Sequence, residues 1–102
     1  MKQCCEKYLM EQFGDDLDIV CEIYAEYTSS LALKVVELKN AIDSEDWTQV
    51  DRLAHTVKGN ALAAGDEDVA TVAIELRKTA ALKDAAQCRT LLAKIEALAK
   101  TL

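Results

Sequence analysis

The chain has no proline and only three glycines among 102 residues. Proline and glycine are the residues least compatible with a helix interior, so little here interrupts helical structure. Positive charge is in deficit: 12 Lys and Arg face 18 Asp and Glu, a net charge of −6. An acidic surface disfavours nucleic acid and anionic membranes as partners. No apolar run approaches the ~20 residues that span a bilayer, and none follows Met1-Lys2-Gln3-Cys4 as a signal peptide requires. The four cysteines include no C-x-x-C pair: Cys4 and Cys5 are adjacent, while Cys21 and Cys88 stand alone. That excludes the clustered ligands of a zinc site, and no metal is expected. Cys21 and Cys88 fall near apolar stripes, where a free cysteine behaves as a small hydrophobe. No glycine-rich phosphate loop, catalytic triad or paired-carboxylate site stands out, so the chain does not read as an enzyme. A reducing, cytoplasmic setting is expected. The starting Met1 and short length favour a stand-alone protein.

What is present is helical. Alanine, leucine, lysine and glutamate are abundant, and 51% of residues are apolar. A short first helix is expected over about residues 3–13, closed by Gly14. Asp15 then opens a long helix reaching about Asn40–Ile42. Its apolar residues are Leu17, Val20, Tyr24, Tyr27, Leu31, Val35, Leu38 and Ile42, spaced by threes and fours along one face. Asp43 and Ser44 offer caps for a third helix from about Glu45 to Ala64. That helix buries Trp47, Val50, Leu53, Ala54, Val57, Ala61 and Ala64, and Gly65 ends it. Asp66 opens a fourth, with Val69, Val72, Ala73, Leu76 and Ala80 inward. Asp84 opens a fifth, with Gln87 completing a box-like cap and Cys88, Leu91, Leu92, Ile95, Leu98 and Leu102 inward. Short connections make successive helices antiparallel neighbours. The expected fold is all-α, one domain over 1–102: an antiparallel up-down four-helix bundle at 15–102, capped by the short helix at 1–14.

The chemistry gathers at one place. The only histidine, His55, is followed by Lys58 and Gly59, three and four residues on, so all three share a helix face. His55 borders the buried stripe rather than lying in it. One ring nitrogen should face water and the other the bundle, with the bond at the inner nitrogen fixing the tautomer. Lys58 is placed to neutralise an incoming phosphoryl group. Glycine mid-helix costs ~0.5–1 kcal/mol relative to alanine, so Gly59 needs a reason, and a close-approaching partner supplies one. Read alone, an H-x-x-K pair also fits an ordinary surface histidine beside a solvated lysine.

The run Ala54-His55-Thr56-Val57-Lys58-Gly59, with Gly65 ten after the histidine, resembles the histidine-containing phosphotransfer (HPt) domain. Asp46-Trp47 ahead of it resembles the family's lead-in. Val69, Val72, Ala73 and Leu76 fall where the family places apolar residues on its next helix. The resemblance covers about residues 15 to 100. It implies a phosphocarrier in a two-component phosphorelay, with no kinase activity and no bound nucleotide. His55 would accept a phosphoryl group from the aspartate of one receiver domain and pass it to that of another. Lys58 would stabilise that group, Gly59 would leave room for the receiver, and Gly65 would serve the helix end. The implied partners are the receiver domains of a hybrid histidine kinase and of a response regulator. The chain itself would need no cofactor, because the receiver supplies Mg2+. A monomer is expected.

One position departs from the family. Relatives often carry glutamate or glutamine twelve residues after Gly65, where it can bond the inner imidazole nitrogen. Here Arg77 stands there, and arginine cannot accept a hydrogen bond. Arg77 is then either a contact for the phosphoryl group or receiver, or a solvated surface residue. Leu62, Leu9 and Met10 are candidates for receiver docking, whereas Phe13 is expected to pack the bundle end. The rival reading is an HPt-like helical adaptor that binds receivers or kinases without being phosphorylated. A haem or metal bundle lacks the second histidine it would need.

Overall fold

The computed structural model describes residues 1–102 and contains five helices and no strand. They are α1 (Gln3–Phe13), α2 (Leu17–Asp43), α3 (Trp47–Ala63), α4 (Glu67–Ala81) and α5 (Ala85–Ala99). α2 packs on α3 and α5, α3 packs on α4, and α4 packs on α5, which closes a ring in chain order. Inside it, Leu38 and Ile42 meet Val50 and Val57, Val69 and Leu76, and Cys88 and Ile95, all almost completely buried. The apolar stripes expected from the spacing are thus the faces that turn inward. No helix is long and apolar enough to cross a membrane.

Two residues of α2 differ from expectation. Leu17, the first residue of α2, is 58% exposed, because it precedes the part of α2 that the other helices cover. Cys21 is exposed rather than packed, while Cys88 is buried as expected. α2 has 27 residues against 17 in α3, and α1 packs along α2.

Three links in the ring are built alike. Each helix closes on a residue of right-handed conformation (Ser44, Ala64 or Leu82), followed by one with positive φ: Glu45 at 54°, Gly65 at 76° or Lys83 at 57°. An aspartate comes next. Its N–H donates back to the carbonyl five residues earlier, Asp46 to Ala41 at 2.9 Å, Asp66 to Ala61 at 2.8 Å and Asp84 to Thr79 at 3.4 Å. Its carboxylate then accepts from the N–H of Gln49, Val69 or Gln87 in the next helix. One residue thus satisfies orphan groups of two helices.

This geometry corrects several boundaries. α3 starts at Trp47 rather than about Glu45, and its cap is Asp46 rather than Asp43 or Ser44. Glu45 cannot be helical, since it makes the left-handed turn. α2 is capped by Asp16, not Asp15. Gln87 does not close a capping box, because the Asp84 N–H it would have to meet already bonds Thr79.

Gly65 ends α3 as expected, for two reasons. Its positive φ disfavours any side chain, and a Cβ there would run into Tyr8 of α1, lying 2.7 Å from its Cγ. Gly65→Ala is expected to cost roughly 2 kcal/mol or more, from left-handed strain plus overpacking. A urea titration checks this: an unchanged midpoint would mean that α1 does not press on this turn.

Asp66 does more than cap α4. It is completely buried, and its carboxylate meets the Lys2 ammonium at 2.8 Å and the Tyr27 hydroxyl at 2.7 Å. Lys2 also pairs with Asp68 at 3.0 Å, and its N–H donates to the Tyr24 hydroxyl at 3.0 Å. The start of α1 is thereby tied to α2 and α4. Cys4, Asp66 and Asp68 converge closely enough to suggest a cation site, and the Lys2 ammonium supplies the positive charge there. Packing of α1 also reverses an expectation about docking: Leu9 is completely buried, whereas Phe13 is 43% exposed. Leu9 is therefore a packing residue and not a docking contact. Met10 is half-buried.

Candidate functional site

α3 is held in the ring by Val50, Leu53, Ala54, Val57 and Ala61, all buried. Asn60 adds a cross-link, donating to the Ser30 hydroxyl of α2 at 3.3 Å. The opposite face of α3 is thereby fixed and turned outward. On it lie His55, exposed, Lys58, half-buried, and Gly59, exposed. Lys58 takes part in none of the ion pairs of the protein. Its charge is uncommitted. A Cβ added at Gly59 would meet nothing within 4 Å. Internal packing therefore does not demand glycine there, and the bare surface faces solvent. Leu62, one turn further on, is 49% exposed.

α4 completes the site from the side. Arg77 reaches across to α3, where its Nε donates to the Asp51 carboxylate at 2.9 Å and its Nη1 meets His55 Nδ1 at 3.2 Å. Asp51 precedes His55 by one helical turn, so the guanidinium spans both. The structure thus places Arg77 against the imidazole rather than in open solvent. His55 Nε2 has no protein partner. Asp51, Lys58, Ile74, Arg77 and Lys78 line a groove of about 410 Å³ between α3 and α4. Three cations face one carboxylate in it, and that carboxylate is engaged by Arg77, so the groove suits an anion. Its apolar member, Ile74, is 40% exposed.

The spacing of α3 already brought His55, Lys58, Gly59 and Leu62 together. Gly65 lies apart from them, at the turn against α1. The same count puts Asp51 on the His55 face, whereas Ile74 and Lys78 join the groove only through α4. Asp51 lies one turn before His55, and the placing of the other two depends on how α4 is rotated against α3.

Two groups outside the site are chemically silenced. Burial, aided by the neighbouring Asp66 charge, pushes the Cys5 thiol up to about 12. Burial and Asp84 likewise push the Cys88 thiol up. Neither is a nucleophile at neutral pH.

No match was found among curated proteins or among solved structures. The sequence model of the Hpt domain matches residues 22–101, from the first turns of α2 through α5, leaving α1 outside. With an exposed histidine on the fixed helix of a helical bundle, the chain belongs to the Hpt domain family, whose role is phosphotransfer in two-component signalling.

Proposed function

We propose that this protein is a phosphocarrier in a phosphorelay, taking a phosphoryl group onto His55 from a receiver-domain aspartate and giving it to another receiver. The observation that carries this reading is the combination on α3 of an exposed imidazole, an unpaired Lys58 one turn on, and the open surface at Gly59. Phosphoryl transfer asks for positioning and charge neutralisation more than for covalent chemistry. A rigid helix meets the first need and Lys58 the second. The ring of contacts and the short links support an antiparallel up-down arrangement of α2–α5 within one domain. The protein acts stoichiometrically rather than as an enzyme and holds no cofactor of its own, Mg2+ being the receiver's. It works as a cytoplasmic monomer. Receivers of a hybrid kinase and of a response regulator dock over Gly59, Leu62 and Ile74, with Met10 of α1 as a further contact.

Incubation with phosphoramidate tests the reading. The expected result is one acid-labile phosphoryl group per chain by intact mass and phosphorus NMR. No uptake, either from phosphoramidate or from a phosphorylated receiver, would leave the helical adaptor as the better reading.

Gly59 gives a second test, because stability and function should move in opposite directions. Gly59→Ala is expected to stabilise the fold by ~0.5–1 kcal/mol, since the added methyl group meets only solvent. The same methyl stands where a receiver approaches. Transfer from a phosphorylated receiver should slow by about tenfold, equivalent to ~1.4 kcal/mol of lost docking. Unchanged transfer would remove Gly59 from the interface.

A further inference from the structure

The contact between Arg77 and His55 has a direction. A guanidinium carries only N–H donors and does not lose its proton in proteins. At 3.2 Å from Arg77 Nη1, His55 Nδ1 must therefore present its lone pair. In the neutral ring the single proton then sits on Nε2, the nitrogen that no protein group touches. An imidazolium would set N–H against N–H and break the contact. Asp51 keeps the guanidinium in place by accepting from Nε at 2.9 Å.

The geometry points to Arg77 as a positioning residue that prolongs the life of the phosphohistidine by holding Nδ1 in its unprotonated form. This rests on the phosphocarrier reading above. Arg77 occupies Nδ1, so Nε2 is the nitrogen that receives the phosphoryl group. Before loading, Nε2 carries a proton and lacks a free in-plane lone pair. Loading therefore requires Arg77 to yield Nδ1, and the anionic phosphoryl oxygens of a docked aspartyl phosphate compete for the guanidinium. The ring proton then moves from Nε2 to Nδ1 through water. The Nε2 pair forms the N–P bond, the P–O bond to the receiver aspartate breaks, and its electron pair remains on that carboxylate. The Nδ1 proton passes to water, and Arg77 donates again to the bared nitrogen.

In hydrolysis the N–P bond breaks as water attacks phosphorus, and the bonding pair returns to Nε2. With a proton on Nδ1 the leaving group is neutral imidazole. Without one it is imidazolate, a far poorer leaving group. Arg77 cannot supply that proton and occupies the lone pair that would take it. A carboxylate at this position, which only accepts, has the opposite effect: it favours Nδ1–H, making Nε2 the better nucleophile and the phosphoryl group easier to lose.

The test compares wild type with Arg77→Glu, a change at a half-buried position outside the core. Nitrogen-15 NMR of neutral His55 should place the proton on Nε2 in wild type and shift it toward Nδ1 in the variant. Both proteins are then loaded with phosphoramidate, the reagent is removed, and decay is followed by phosphorus NMR at constant pH. The variant should lose its phosphoryl group at least ~threefold faster, as expected when proton donation to a leaving group is restored. If both load and decay alike, or if the tautomer does not move, the inference about Arg77 is overturned while the phosphocarrier reading stands. If wild type takes up no phosphoryl group, both fall.

Discussion

His55→Gln is expected to abolish phosphoryl uptake completely while leaving the fold intact. His55 is the only imidazole of the chain, so no second residue can form a phosphohistidine. The side chain is exposed and belongs to no core contact, and such surface substitutions usually stay within about 0.5 kcal/mol. Glutamine also offers a carbonyl oxygen to Arg77, so the guanidinium is not stranded. Intact mass after phosphoramidate treatment, beside a urea titration, reads both halves. Residual uptake at a different residue would remove His55 from the centre of the site. A large loss of stability would show the ring to be structural.

The largest effect on stability is expected at the opposite end of α3. Asp66→Ala should cost about 3–5 kcal/mol, the range for removing one partner of a buried ion pair. The substitution leaves the Lys2 ammonium with only the exposed Asp68, strands the Tyr27 hydroxyl and deletes the cap of α4 together. Lys2→Met in the same background should recover part of the loss, because the charge that has lost its buried partner goes with it. A cost below about 1 kcal/mol would mean that the network contributes no more than an exposed pair.

The same network sets an alkaline limit. Burial works against the charged Lys2, but its hydrogen bonds to Asp66 and Asp68 outweigh this and hold its pKa above the usual lysine range. Burial and the bond to Asp66 likewise hold the Tyr27 phenol protonated to above its usual range. Both folded-state pKa values are raised. Their contribution is therefore fully present below the unfolded values, near 10 for both types, and is lost as pH rises beyond them. Stability should be flat through neutral pH on account of these groups and should decline above about pH 10.

The sequence disclosed what depends on local spacing. The buried faces of α3, α4 and α5 repeat every three to four residues, and the outward face carrying His55, Lys58 and Gly59 follows from the same count. Helix starts were less legible. Asp15, Asp16, Asp43 and Asp46 are all good caps, and the choice between them depends on which preceding residue takes the turn conformation. Glu45 and Lys83 take it without being glycine, so no composition signal marks them. Long-range polar contacts were invisible: Asp66 meets Tyr27 from 39 positions away and Lys2 from 64. Arg77 was legible as a departure, but not its aim at Nδ1, which needs the rotation of α4 against α3. Leu9 and Phe13 exchanged roles because the side of α1 that packs depends on how α1 lies against α2.

The three aspartate links also bear on how the chain reaches this structure. Each joins helices that pack against each other, α2 to α3, α3 to α4 and α4 to α5, so most of the ring closes between sequence neighbours. Within the ring, only the seam between α2 and α5 brings distant segments together. Helical proteins dominated by local contacts fold in roughly microseconds to milliseconds. Refolding should be correspondingly quick, with helical hairpins forming around their links and the α2–α5 seam closing late. With no proline in the chain, no slow prolyl isomerisation phase delays it.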